Sequence, residues 1–192
     1  MKQFELRFLL LTRWIHLGLG LGIVSLVVAC SPSDRIIGPS NLNSRYTDEQ
    51  PALSGNGRFL AFVSNRDGSR SILLYDLQQQ RLIRLPRLNR RETIAESPSL
   101  SYTGRYMVYI TSDQGKLEVA LYDRATQQSQ IISQWYPGWV RHPSISPDGR
   151  YIVFESSSRG QWDIEVLDRG SNIELDIPDG APYSGSSATP SP

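Results

Sequence analysis

Side chains able to do chemistry are few in this sequence, and they are scattered. His16 and His142 are the only histidines among 192 residues, and Cys30 is the only cysteine. A Ser-His-Asp triad outside the N-terminal leader would have to use His142. No G-x-S-x-G elbow occurs to present a nucleophile. One cysteine allows neither an intramolecular disulfide nor a thiolate metal cluster. No glycine-rich phosphate loop opens a helical stretch. The sequence therefore predicts no catalytic, cofactor-binding or metal-binding residue. His142, standing before Pro143, reads as a packing or loop residue. Aspartates at turns have a local backbone reason to be there, so they carry no calcium site.

Two stretches do have the composition of a binding surface. RLPRLNRRE, Arg84 to Glu92, gathers Arg84, Arg87, Arg90 and Arg91, with Arg81 just ahead. QWYPGWVRH, Gln134 to His142, holds Trp135, Tyr136 and Trp139. Trp, Tyr and Arg are the residues enriched at interface hot spots. Together they read as one face for a protein partner with an acidic or aromatic-accepting surface. Solvated arginines, and rings that pack one repeat on the next, are the plainer readings of the same residues. A third reading is a glycan or peptidoglycan binder that stacks sugars on Trp135 and Trp139.

The elements that carry these stretches are set by a repeat. ALSGNGRFLAFVSNR from Ala52, SLSYTGRYMVYITSD from Ser99 and SISPDGRYIVFESSS from Ser144 are three copies of one phrase. Gly57, Gly104 and Gly149 align, at spacings of 47 and 45 residues. Asp76, Asp123 and Asp168 stand 19 residues beyond each glycine, and Pro51, Pro98 and Pro143 stand 6 before it. Arg58, Arg105 and Arg150 follow the glycines directly, and each is followed by an aromatic residue. A period near 45 with four strands per copy is the signature of propeller blades. In the third copy the strands fall near 141–145, 151–156, 163–167 and 173–177. YIVFE and DIEVLD have the β-branched and aromatic content of strands. Ser146-Pro147-Asp148-Gly149 is turn chemistry between the first two: Pro presets φ and Gly accepts φ > 0. The glycines and the aspartates read as structural repeat residues. Strands alternate in direction, so both candidate binding stretches, each joining one copy to the next, belong to the same side of the array.

SISPDGRYIVFESS and SNRDGSRSILLYDL resemble the TolB-type, WD-like β-propeller repeat over roughly residues 48–180. The resemblance implies an all-β fold of three four-stranded antiparallel blades, 48–90, 91–140 and 141–180. It implies no particular activity, since such repeats also occur in propellers attached to peptidases. An accessory piece of a propeller-type hydrolase is the enzymatic alternative. The TolB propeller has six blades and a preceding α/β domain, and this chain has neither. Three blades leave two open flanks. A homodimer closing a six-bladed ring, a half-propeller docked on a partner and a curved stack are the three ways to manage them.

The two ends of the chain read differently. Lys2, Arg7 and Arg13 precede an apolar run from Trp14 to Ala29. That run is short for a membrane span, which needs roughly 20 residues, so 1–29 reads as a secretory signal. Val27-Val28-Ala29-Cys30 resembles the lipobox of bacterial lipoproteins. The resemblance implies cleavage before Cys30 and lipidation of Cys30. Ser31 in place of an aspartate implies the outer membrane, and with it the periplasmic side of the cell envelope. Residues 30–47 read as a flexible tether and 181–192 as a disordered tail. Loss of Lys2, Arg7, Arg13 and Glu5 with the leader takes 20 basic and 19 acidic residues to 17 and 18. That balance creates no field for nucleic acid.

Overall fold

The computed structural model describes residues 42, 44–90, 93–113 and 115–177. The leader, Cys30, Arg91 and the tail 181–192 lie outside the described residues. Within them the chain forms three antiparallel sheets. The first is β1 (Asp48–Leu53), β2 (Phe59–Ser64), β3 (Ser71–Asp76) and β4 (Arg81–Ile83). The second is β5 (Ala95–Leu100), β6 (Tyr106–Asp113), β7 (Lys116–Asp123) and β8 (Gln128–Ile131). The third is β9 (Val140–Ile145), β10 (Tyr151–Ser156) and β11 (Asp163–Asp168). Each sheet is a meander in which every strand pairs with its neighbours in sequence.

Side chains alternate across a strand, so a strand buried on both faces must be apolar at every position. This is why the middle copy reads YMVYI without a polar break. Met107 and Tyr109 of β6 pack toward the first sheet, with Phe59, Ala61, Val63, Ile72 and Leu74. Tyr106, Val108 and Ile110 of the same strand pack toward the third, with Val140, Ile145, Ile152 and Phe154. The two cores are thus the two junctions between sheets. Backbone bonds link the β1–β2, β5–β6 and β9–β10 turns in series: Asn56 N–H donates to Tyr102 O at 2.9 Å, and Tyr102 N–H to Pro147 O at 2.7 Å.

The repeat prolines mark a shared irregularity. Pairing shifts register at Glu49/Ala52 in β1, at Glu96/Ser99 in β5 and opposite Val153/Glu155 in β9. The residue before each proline, Gln50, Ser97 or His142, has φ between 50° and 54°. Positive φ is uncommon for a side-chain-bearing residue. Its recurrence at one repeat position makes it a β-bulge built into every first strand.

Two expectations need correction. Residues 44–47 are tied to the first sheet rather than forming part of a free tether. The Ser44 N–H and hydroxyl both donate to Asp48 Oδ2 at 3.0 Å, and Thr47 N–H donates to Asn65 Oδ1 at 3.1 Å. In the third sheet, 173–177 is not a fourth strand. Gly170 takes φ +87° two residues after Asp168, where the first two copies take their positive φ at Gln80 and Gln127, four residues after the aspartate. The chain leaves the sheet early and crosses to the second copy. On the way Asp176 N–H donates to Asp148 O in the turn of its own copy at 2.8 Å, and the Tyr106 hydroxyl of the second copy donates to Glu174 O at 2.6 Å.

The detour brings an acceptor to the turn of the second copy. In the first, Ser54 Oγ donates to Asn56 Oδ1 at 2.8 Å, which also accepts from Arg58 N–H. In the third, Asp148 does the same for Ser146 and Arg150 N–H. The second copy has Thr103 at that position, which offers no carboxylate or amide oxygen. Asp176, 4% exposed, supplies it from outside: it accepts from Ser101 Oγ at 2.5 Å and from Thr103 N–H at 2.8 Å.

Candidate functional site

The constant offset between repeat arginine and repeat aspartate is an ion pair. β2 pairs with β3 so that Phe59 faces Asp76, and Tyr106/Asp123 and Tyr151/Asp168 match in the other sheets. This sets Arg58 at 2.9 Å from Asp76, Arg105 at 3.4 Å from Asp123 and Arg150 at 2.8 Å from Asp168. Each guanidinium also lies about 5 Å from the centre of the aromatic ring that follows it in sequence. The aspartates accept from the next turn as well: Asp76 from Gln78 and Gln79 N–H, Asp123 from Ala125 N–H, Asp168 from Gly170 N–H. Bonds from Arg150 and Gly170 hold Asp168 down at about 2. Burial works against ionisation of Asp76, but bonds from Arg58, Gln79 and Gln78 outweigh it and lower its pKa.

Gly57, Gly104 and Gly149 take φ of +69°, +69° and +78°, which only glycine adopts cheaply. A Cβ on Gly104 would stand 3.2 Å from Phe59, and one on Gly149 only 2.4 Å from Tyr106. Each of these glycines therefore seats the aromatic residue of the sheet before it. Around Gly57 none of the described residues fills the same space.

His142 occupies the bulge position, mostly exposed, with Nδ1 at 3.1 Å from Glu155 Oε1. Glu155 is held below the usual carboxylate range by bonds from Arg141 and His142. No serine, threonine or cysteine is bonded to this histidine among the described residues. Nor do three His, Cys, Asp or Glu side chains converge there as a metal would need.

The two candidate binding stretches are the β4–β5 and β8–β9 connections. The first lies beside the β2–β3 and β6–β7 hairpins, where Ala95 N–H donates to Arg70 O and Ser112 N–H to Ile94 O, and the second beside the β6–β7 and β10–β11 hairpins, where Ser157 N–H donates to Trp139 O. They line separate hollows. Arg84 and Arg87 edge one with Ile72, Leu82 and Asn89, while Trp139 edges another with Gly115, Lys116 and Gly138. Arg84, Arg87 and Arg90 are exposed. Asn89 fixes the basic connection, accepting from Ile72 N–H and donating to Ile72 O. In the aromatic connection Trp135 is 83% exposed and Trp139 57%. Tyr136 turns inward instead, its ring edge-on to Phe154 at 5.1 Å, and anchors the connection. Trp139 N–H donates to Ser157 Oγ at 2.9 Å. Two exposed indoles thus stand on a braced backbone.

Asp176 and Trp162 lie outside both candidate stretches, and composition does not single them out. Arg141 stacks on Trp162 at 3.8 Å from the ring centre. Thr103, standing where the other copies have Asn56 and Asp148, was the legible sign that an oxygen must come from elsewhere.

Bulged first strands, an Arg–Asp clasp in every copy and an aromatic ring seated on the next copy's glycine define a β-propeller blade repeat. The TolB β-propeller domain family matches residues 40–189, and the chain belongs to that family. Among solved structures it is similar to TolB from Acinetobacter baumannii, with 24% identity and a TM-score of 0.57, over 69% of this chain and 32% of that one. It is also similar to putative TolB from Agrobacterium tumefaciens, with 20% identity and a TM-score of 0.55, over 69% and 48%. A puromycin-hydrolyzing peptidase from Mycobacterium tuberculosis shares the fold at 14% identity and a TM-score of 0.52, over 73% and 22%. The chain thus spans less than half the length of these proteins. Curated proteins give no match.

Proposed function

We propose that this protein is a lipid-anchored component of the cell envelope whose blades act as a protein-interaction scaffold without chemistry of their own. The observation that carries the reading is the β8–β9 connection. Large rings held in water on a fixed backbone are what a binding hot spot requires, and Trp135 and Trp139 meet that description. Arg84, Arg87 and Arg90, with Arg91 adjoining them in sequence, add positive charge on the same side and favour an acidic partner surface. The resemblance to the TolB repeat supports a periplasmic setting and a role in envelope integrity or Tol-Pal-like transport. The lipobox at Cys30 supports attachment through acyl chains, which hold a protein at a membrane once two or more are present.

The test is cross-linking in cells from a photoreactive residue placed at 135 or 139 of the full chain. A discrete protein adduct is expected, lost when Arg87, Arg90 and Arg91 become Glu while circular dichroism is unchanged. An adduct indifferent to those changes, or none, sinks the reading. The exposed indoles also suit a sugar ring, so retention on purified peptidoglycan is measured alongside. Retention lost in Trp135→Ala with Trp139→Ala would transfer the function to glycan binding.

A further inference from the structure

We infer that the two outer flanks of this chain are complementary halves of one more blade junction, and that each receives the opposite flank of a second copy. The repeat itself makes the case. Phe59 and Tyr106, the rings after the repeat arginines, are 5% and 3% exposed, each set against the next blade's glycine and under an arginine of that blade, Arg124 at 4.0 Å from the Phe59 ring centre and Arg169 at 4.3 Å from that of Tyr106. Tyr151 is their counterpart in the third blade and is 42% exposed. Ile72 and Leu74 in β3, and Val119 and Leu121 in β7, fill the two junctions. Their counterparts in β11, Ile164 and Val166, are 66% and 62% exposed.

The opposite flank lacks what this one offers. Leu100 and Ile145 end β5 and β9, each 7% exposed inside a junction, whereas their counterpart Leu53 is 60% exposed. Gly57 has the left-handed backbone of its two counterparts, and none of the described residues stands where they hold a ring. Farther along this flank Phe62 and Tyr75 are already buried, so the contact is made at the turn end. There, Tyr151 of one copy fits over Gly57 of the other as Tyr106 fits over Gly149, and Leu53 meets Ile164 and Val166.

Charge agrees with the fit. In the first junction Arg70, on the β2–β3 hairpin, binds Glu49 at 2.7 Å and reaches across to Glu96 at 3.1 Å. At the open junction the Arg70 position holds Trp162, with Arg141 stacked on it, and the Glu96 position is Glu49 of the second copy. Arg141, which binds Glu155 at 2.6 Å in its own copy as Arg70 binds Glu49, and Glu49 are opposite charges on facing flanks. The contact is head to tail, and two copies of three blades reach a blade number at which propellers close, so that both junctions form in one ring.

Native mass spectrometry of the full chain released from detergent tests this. The chain is expected to give a two-copy species. Leu53→Arg and Val166→Asp place charges at positions already in water, so the fold is retained, and each alone is expected to lower that species at least tenfold. A wild-type chain that stays single overturns the inference and leaves the flanks to another protein. A pair lost in Val166→Asp but kept in Leu53→Arg overturns it too, since that pattern belongs to a contact of third blade with third blade. Neither change touches Trp135 or the arginines, so the cross-linking result stays independent.

Discussion

Asp176→Ala removes an oxygen that another blade's turn has come to depend on. The carboxylate accepts from Ser101 Oγ and from both the N–H and the hydroxyl of Thr103. Thr103 is half-buried, so water takes over part of its loss, whereas Ser101 is fully buried and keeps Tyr106 O as acceptor at 3.2 Å. A bond to a charged group contributes about 1.5–3 kcal/mol and a neutral one about 1 kcal/mol. The expected loss is about 3 kcal/mol, or roughly 6–12 °C in melting temperature at about 2–4 °C per kcal/mol for a domain of this size. The rescue is specific. Thr103→Asn gives the second blade the acceptor that Asn56 and Asp148 give theirs. Over Asp176→Ala it should recover about half of the loss, and in the otherwise native chain it should gain nothing, a coupling that a double-mutant cycle measures. Urea unfolding followed by tryptophan fluorescence on the four chains decides it. A loss below about 1 kcal/mol, or no recovery with Thr103→Asn, refutes the argument that Asp176 completes this turn.

Alanine at the three repeat glycines should give a graded series. Gly57→Ala adds only left-handed strain, about 1–2 kcal/mol, whereas Gly149→Ala adds a clash with Tyr106 and should cost about 3 kcal/mol or more; equal costs in chemical denaturation would contradict the ring-on-glycine junction. Tyr136→Ala should destabilise by about 2 kcal/mol through its contact with Phe154, while Trp135→Ala should stay within about 0.5 kcal/mol; thermal melts separate anchor from exposed ring. Asp48 and Asp168 are held down at about 2 and Asp76 is lowered. Depressed values mean stability that is complete above the unfolded value of about 3.9 and is lost as pH falls toward 2. A melting temperature flat between pH 4 and pH 2 would contradict this.

The fold was legible because its determinants are local and repeated. A strand buried on both faces must be written without polar breaks, and YMVYI in β6 is such a text. The Gly-to-Asp offset of 19 residues survives because strand register and an ion pair both depend on it. The third blade's missing strand was harder to see. DIEVLD is followed by NIELDI, which has the alternation of a strand, and its removal turns on Gly170 and on a hydrogen-bond deficit 70 residues upstream. The binding stretches were half legible. Composition pointed to Trp135 and Trp139, yet composition alone does not say which ring of Trp135-Tyr136 turns inward. The answer lies with Phe154, which faces Tyr136 from β10.

The substitution in the second turn and the open edge of the third blade are one trade. Had residue 103 been Asn or Asp, the second blade would close its own turn, as the first and third do, and 173–177 would be free to pair with β11. With Thr103 in place, Asp176 is drawn across the second junction, where it is buried and bonded on three sides. The fourth strand it gives up would have been a short one: β4 and β8 have three and four residues. A short outer strand contributes few ladder bonds, whereas the three bonds that Asp176 accepts from Ser101 and Thr103 contribute about 3 kcal/mol together. The exchange therefore favours the crossing. It tightens the junction between the second and third blades and leaves the outer edge of β11 without a paired strand among the described residues. That edge borders the flank formed by Tyr151, Ile164 and Val166, so the Asp176→Ala chain with Thr103→Asn should show a changed flank as well as a repaired turn. Slowed hydrogen exchange at Ile164 and Val166 in that double variant would mean the freed segment has returned to β11; exchange as fast as in the native chain would mean that Thr103 is not what keeps the strand away.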